Sequence, residues 1–195
     1  MSADEELLRR LRAGDETAFA ALVEQYHAPM IRLATAYVPS RAVAEEVVQD
    51  TWLGLVRGID RFEGRSSLKT WLFRILVNRA RTAGPRERRH LPLGAGETVD
   101  PDRFQADGQW AVPPAPWTDD VDDRLDAAEV VGRVRELIDA LPAGQREVVL
   151  LRDVEGLSSA DACSILGVSE GNQRVLLHRG RARVRRMLEL ELGKV

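Results

Sequence analysis

Two short helical segments meet at one glycine, and each follows a serine able to cap it, which leaves residues 158–186 few folds to adopt. Ser158 can accept from the first free amides of one helix, with Asp161 three residues on as a shortened capping box. Leu166-Gly167 closes that helix, because glycine enters the left-handed region without steric cost. Ser169 caps the next helix. It carries Arg174, Arg179, Arg181, Arg183, Arg185 and Arg186, with no acid between Gly171 and Leu188. A solvated basic helix on an ordinary helical protein would show the same charge run. The paired caps around a glycine turn instead predict a helix-turn-helix, whose second helix suits a major groove lined by phosphates.

Charge is segregated along the 195 residues, although the formal net charge is only −3. Residues 57–90 carry a net +7 and residues 171–195 a net +5, while residues 91–126 carry −7. Residues 1–56 and 127–170 each sum to −4. Two basic blocks separated by an acidic one imply two surfaces facing nucleic acid, with the acidic stretch kept away from DNA or occupying a basic groove elsewhere.

Apolar residues recur at helical spacing from Glu5 to about Val38, punctuated at Gly14-Asp15, where Asp15 is a candidate cap. Ser40 follows Pro39 and is placed to cap a third helix reaching Val56; a fourth runs from about Ser67 to Thr82 and ends at Gly84-Pro85. Helices resume near Leu125, pause at Pro142, and run from Gln145 to about Val154 before the helix-turn-helix. The intervening segment holds five of the nine prolines, nine acids over 91–126 and no periodicity. Fully extended, its 35 residues could span roughly 120 Å, so the flanking domains need not touch. Phe104, Trp110 and Trp117 lie within it, which suggests docking on a surface, or weak packing against its own domains. The expected fold is all-α: two small helical domains, 1–90 and 126–195, joined by a long acidic, proline-rich linker over 91–125, the second containing the helix-turn-helix.

Several chemistries are disfavoured. A lone Cys163 cannot form an internal disulfide, and it reads as a buried inert thiol rather than a redox sensor. Three scattered histidines (His27, His90, His178) do not make a zinc site, so no metal or cofactor is expected. No stretch approaches the roughly 20 apolar residues of a membrane span, and the acidic, amphipathic N-terminus is unlike a signal peptide. The chain reads as cytoplasmic, not membrane-inserted. No phosphate-binding loop or nucleophile–base constellation is visible, so neither an enzyme nor a small-molecule substrate is expected.

The ordered set Ala44-Glu45-Glu46-Val47-Val48-Gln49-Asp50-Thr51-Trp52-Leu53, then Arg61-Phe62-Glu63-Gly64-Arg65-Ser66-Ser67-Leu68-Lys69-Thr70-Trp71-Leu72-Phe73-Arg74-Ile75 with Asn78, then Leu141-Pro142 and the helix-turn-helix, resembles the extracytoplasmic-function (ECF) RNA polymerase sigma factors of the sigma-70 family. The resemblance covers 15–90 and 125–190. It implies a dissociable initiation subunit that binds core RNA polymerase and reads promoter DNA at the −10 and −35 elements under the control of an anti-sigma factor, itself without catalytic activity. The helix 41–56 resembles the polymerase-docking helix, with Glu45, Glu46, Gln49 and Asp50 on one polar face and Trp52, Leu53 and Val56 as anchors. A solvated acidic face is the alternative for such a pattern.

The segment 58–81 resembles the −10 reader. There Arg61, Arg65, Lys69, Arg74, Arg79 and Arg81 would meet phosphates, Asp60 and Phe62 would line a base pocket, Gly64 would let the loop turn, and Asn78 would face a base edge. Trp71 and Phe73 read either as core or as stacking platforms. In the −35 reader Ser169, Glu170, Asn172, Gln173, Arg174, His178 and Arg179 are the expected DNA-facing residues, with Arg174, His178 and Arg179 matching the family pattern. Arg183, Arg185 and Arg186 suit phosphates or a solvated face. Asn172-Gln173 and Val175-Leu176 depart from the commonest pattern, which affects the −35 sequence read rather than the role. The resemblance also puts the linker in polymerase channels, where its acids would imitate a polyanion, and its aromatic stretch is a candidate anti-sigma site. A stand-alone helix-turn-helix repressor or activator, dimerising through the first domain, is the alternative; it accounts for neither 44–53 nor the basic loop. A protein that only mimics a sigma factor is a further one.

Overall fold

A computed structural model of the chain describes residues 3–83 and 127–192; the linker and its aromatic residues lie outside the described residues. The described residues form eight α-helices in order: α1 Ala3–Arg12, α2 Glu16–Ala34, α3 Arg41–Gly58, α4 Leu68–Ala83, α5 Ala127–Asp139, α6 Ala143–Val149, α7 Ser159–Leu166 and α8 Glu170–Leu192. A 3-10 turn, Ile59–Arg61, follows α3. No strand occurs among the described residues.

Local chemistry sets the helix starts. Asp15 caps α2, its Oδ1 accepting from Thr17 N at 2.9 Å and Ala18 N at 3.1 Å. Hydrogen bonds from Arg10, the Thr17 hydroxyl and the Ala18 amide hold the Asp15 carboxyl well below its ordinary pKa. Ser40 caps α3 through Val43 N, and Ser67 caps α4 through Thr70 N at 3.1 Å. The end of α2 is not where periodicity put it. The helix stops at Ala34, and Tyr37 and Val38 are buried from a turn whose amides bond back to Ala34 O. Apolar spacing reports burial, and a turn folded back on its helix buries side chains as well as another helical turn would.

In the second domain α6 runs on into a π turn, Leu150–Val154, that widens the helix by one residue before Gly156 (φ +65°) ends it. Ser158 caps α7, accepting from Asp161 N at 3.1 Å. The capping box differs in detail from expectation: the Ser158 hydroxyl donates to Asp161 Oδ2 at 2.6 Å. Gly167 adopts the left-handed conformation (φ +67°), and Ser169 caps α8 by accepting from Asn172 N at 3.2 Å. Gly180 lets α8 cross α6 closely, since a Cβ there would stand 2.6 Å from Val149 Cγ2. Cys163 is half-buried on α7.

The two helical groups touch, α4 packing against α7, and share one continuous apolar core. A long connection permits separation; it does not require it.

Candidate nucleic-acid interface and docking face

On α3, Glu46, Gln49 and Asp50 are exposed, and Glu45 is half-buried beside Arg41 at 2.9 Å. Leu53 and Val56 stand next to them, 51% and 55% exposed, two aliphatic side chains one turn apart on the same helix. Trp52, expected as a third anchor, points inward and meets the Phe19 ring edge-to-face at 5.7 Å. The face is therefore a carboxylate and amide row beside two bare aliphatic side chains. Asp50 also pairs across to Arg79 on α4 at 3.6 Å.

The turn between α3 and α4 presents Asp60, Arg61, Gly64 and Arg65 outward, with Gly64 at φ +71°. Phe62, expected to line a base pocket, is buried under the half-buried Trp71, ring centroids 4.9 Å apart. Arg74 and Asn78 are exposed one helical turn apart on α4. Phe73 is core. Lys69 and Arg81 are not turned to solvent, because the second domain has engaged both. Lys69 Nζ lies 3.2 Å from Glu155 Oε2 and also donates to Glu155 O; Arg81 Nη2 donates to Leu166 O at 2.6 Å.

On α8, Glu170 and Arg174 are exposed, Ser169 is exposed as the cap, and Asn172, His178 and Arg179 are half-buried. Gln173 is 2% exposed and sits in the seam with α7, its Oε1 accepting from the Ser159 hydroxyl at 2.9 Å. In this conformation it joins two helices rather than facing outward. Burial and the nearby Arg181 charge lower the His178 pKa. Arg181 is held by Asp153, Nε to Oδ2 2.9 Å.

Sequence reasoning singled out Lys69 and Arg81 only for phosphates, and it did not single out Glu155, Arg32, Arg146 or Glu147, which join the domains with them. The π turn aims Glu155, with a side chain only 10% exposed, between Lys69 and Arg32, the latter at 3.6 Å. Arg146 donates to Thr35 Oγ1 at 2.8 Å. Glu147 lies among Tyr37, Arg81 and Arg146. Glu147 is an acid in an apolar helix and Glu155 follows its last turn, and partners far away along the sequence leave no local trace.

Burial pushes the Glu147 carboxyl up to about 7, against the Tyr37 hydrogen bond and the Arg81 and Arg146 charges. Separating the domains would return it toward the ordinary 4.5. The closed arrangement thus binds a proton more tightly than the open one. Its contribution is complete below about pH 4.5 and is lost as pH rises through about 7, a change on the order of 3 kcal/mol. Distance measurements between labels on α2 and α6 are expected to report domain separation increasing from pH 6 to pH 8. Glu147→Gln should flatten that profile, and a wild-type profile already flat would contradict it.

The described residues are thus all-helical, with a polar and aliphatic face on α3, a basic turn-and-helix surface and a helix-turn-helix packed against it. Residues 22–90 match the family model for sigma-70 region 2, and residues 132–184 match that for sigma-70 region 4. Over 178 residues, 91% of this chain and 90% of the relative, it is 30% identical to the ECF RNA polymerase sigma-E factor of Salmonella typhimurium. Among solved structures it resembles the sigma factor RpoE of Bartonella quintana, crystallised with the anti-sigma factor NepR. That match has a TM-score of 0.54 at 27% identity and covers 88% of this chain and 96% of that one. The fold also matches CnrH in complex with the cytosolic domain of CnrY, TM-score 0.58 at 23% identity, covering 97% and 99%. The chain belongs to the ECF sigma factors of the sigma-70 family. The region 2 match removes the stand-alone repressor. No helix among the described residues is long and apolar enough to cross a membrane.

Proposed function

We propose that the chain is a non-catalytic, cytoplasmic subunit that docks on core RNA polymerase through α3, opens and reads the −10 element through 58–81, and grips the −35 duplex through α8, until an anti-sigma factor sequesters it. The observation that carries this reading is the succession, along the chain, of an exposed turn (Asp60, Arg61, Gly64, Arg65) and the exposed Arg74 and Asn78 of α4. A melted strand needs cations for its phosphates and a donor–acceptor group for an unstacked base, and these residues supply both. On α8, Arg174 is an exposed cation able to reach a base edge or phosphate, with the half-buried Arg179 and His178 one turn further on. Gln173 serves the −35 role indirectly, by fixing α8 against α7.

Lys69 and Arg81 cannot hold a phosphate and the second domain at once. The DNA-bound form therefore has the two domains apart, which the length of residues 91–125 allows. The proposed domain limits are 1–90, the linker 91–125 and 126–195.

Run-off transcription with core RNA polymerase, on the promoter upstream of the chain's own gene, tests the reading. Specific initiation is expected, and Asn78→Ala should abolish most of it with polymerase binding intact. Tight polymerase binding without a transcript from any promoter would leave only a mimic of a sigma factor, and no binding at all would overturn the proposal.

A further inference from the structure

The turn between α3 and α4 is braced from a side that neither DNA nor polymerase is proposed to use. Arg12, the last residue of α1, donates from Nε to Ile59 O at 3.3 Å and from Nη2 to Phe62 O at 2.6 Å. These two carbonyls bracket the 3-10 turn. Ile59 O already accepts from Phe62 N at 3.2 Å, and at Phe62 the backbone turns extended (ψ 115°). Trp71 packs over Phe62 and against Gly58, where a Cβ would meet the indole at 3.2 Å. The turn is thus held by a guanidinium on two of its carbonyls and by an indole on its side chain and glycine, while Asp60 and Arg61 stay exposed.

We infer that Arg12 is a positioning residue for the −10-reading turn: bonded to Ile59 O and Phe62 O, it sets the backbone from which Asp60 and Arg61 reach an unstacked base. The inference rests on the −10 role proposed for that turn. A planar guanidinium presents separate donors to two carbonyls in a fixed fork, whereas an ammonium is a point charge on a flexible stem. A phosphate-contacting role would need only the charge, so lysine separates the two.

The full chain carrying Arg12→Met or Arg12→Lys is assembled with core RNA polymerase. Open-complex formation is then compared on the native promoter and on promoters substituted singly across the −10 element. Both variants are expected to lose base discrimination at one −10 position by about tenfold, the order expected when a charge-assisted hydrogen-bond pair is removed. Polymerase affinity should stay at its wild-type value, while the thermal midpoint should fall by a few degrees in both. Amide exchange over 59–66, measured on the isolated chain, should quicken in both. Full discrimination in Arg12→Lys, unchanged discrimination in both variants, or a parallel fall in polymerase affinity would each overturn the inference. If the wild-type chain itself never initiates, the −10 role fails instead, and the exchange measurement alone still decides whether Arg12 holds the turn.

Discussion

Leu53→Glu is expected to weaken binding to core RNA polymerase by about thirtyfold or more, the effect of losing a central interface anchor worth some 2 kcal/mol. Leu53 is half exposed on a helix whose neighbouring face is Glu46, Gln49 and Asp50, so nothing in the fold explains its apolar character. Glutamate is as good a helix former as leucine, and the position is wet, so stability should hold. The substitution places another carboxylate where a partner would have to bury it, and an unpaired buried charge is costly. Competition binding against labelled wild-type chain, with thermal unfolding alongside, checks this. Unchanged affinity would move the docking face away from α3. Trp52 is the internal control: it lies one residue away but is buried against Phe19, so Trp52→Ala should lower stability first.

Phe73→Ala should destabilise the first domain by about 3–5 kcal/mol, the range for emptying a large aromatic site in a packed core. Phe73 is fully buried at the centre of α4 and meets Tyr26 edge-to-face at 6.2 Å. Lys69 Nζ sits 5.9 Å from the Phe73 ring centroid and 5.7 Å from that of Tyr26. Losing the ring therefore removes apolar burial and also part of the surface that holds this cation toward Glu155. Urea unfolding followed by helical signal is the measurement. A loss below about 1 kcal/mol, typical of a surface change, would mean that the site collapses or that Phe73 is not central.

Much of the architecture was legible because the signals were local. Asp15, Ser40, Ser158, Ser169 and Gly167 act on backbone groups within a few residues of themselves, and each does so where its sequence position implied. The charge run on α8 and the paired motifs of the first domain were likewise readable as type and spacing. Facing was less legible. Trp52, Phe62 and Gln173 looked like surface contacts and are buried, because side-chain type does not say which side of a helix a neighbour covers. Phe62 is covered by Trp71 nine residues on, and Gln173 by Ser159 fourteen residues back.

By itself, the sequence determined the helices, their caps, the helix-turn-helix and the sigma-70 character of both ends. Those properties follow from hydrogen bonds and apolar spacing within single segments. The tertiary structure alone decided that Lys69 and Arg81 are held by the second domain, that Glu155 leaves a π turn to reach Lys69 and Arg32, and that Arg12 spans to the turn at 59–62. Each joins residues tens of positions apart, through ion pairs and hydrogen bonds whose strength depends on distance and burial. Neither quantity is written in the order of the residues, and both appear only when the helices have packed.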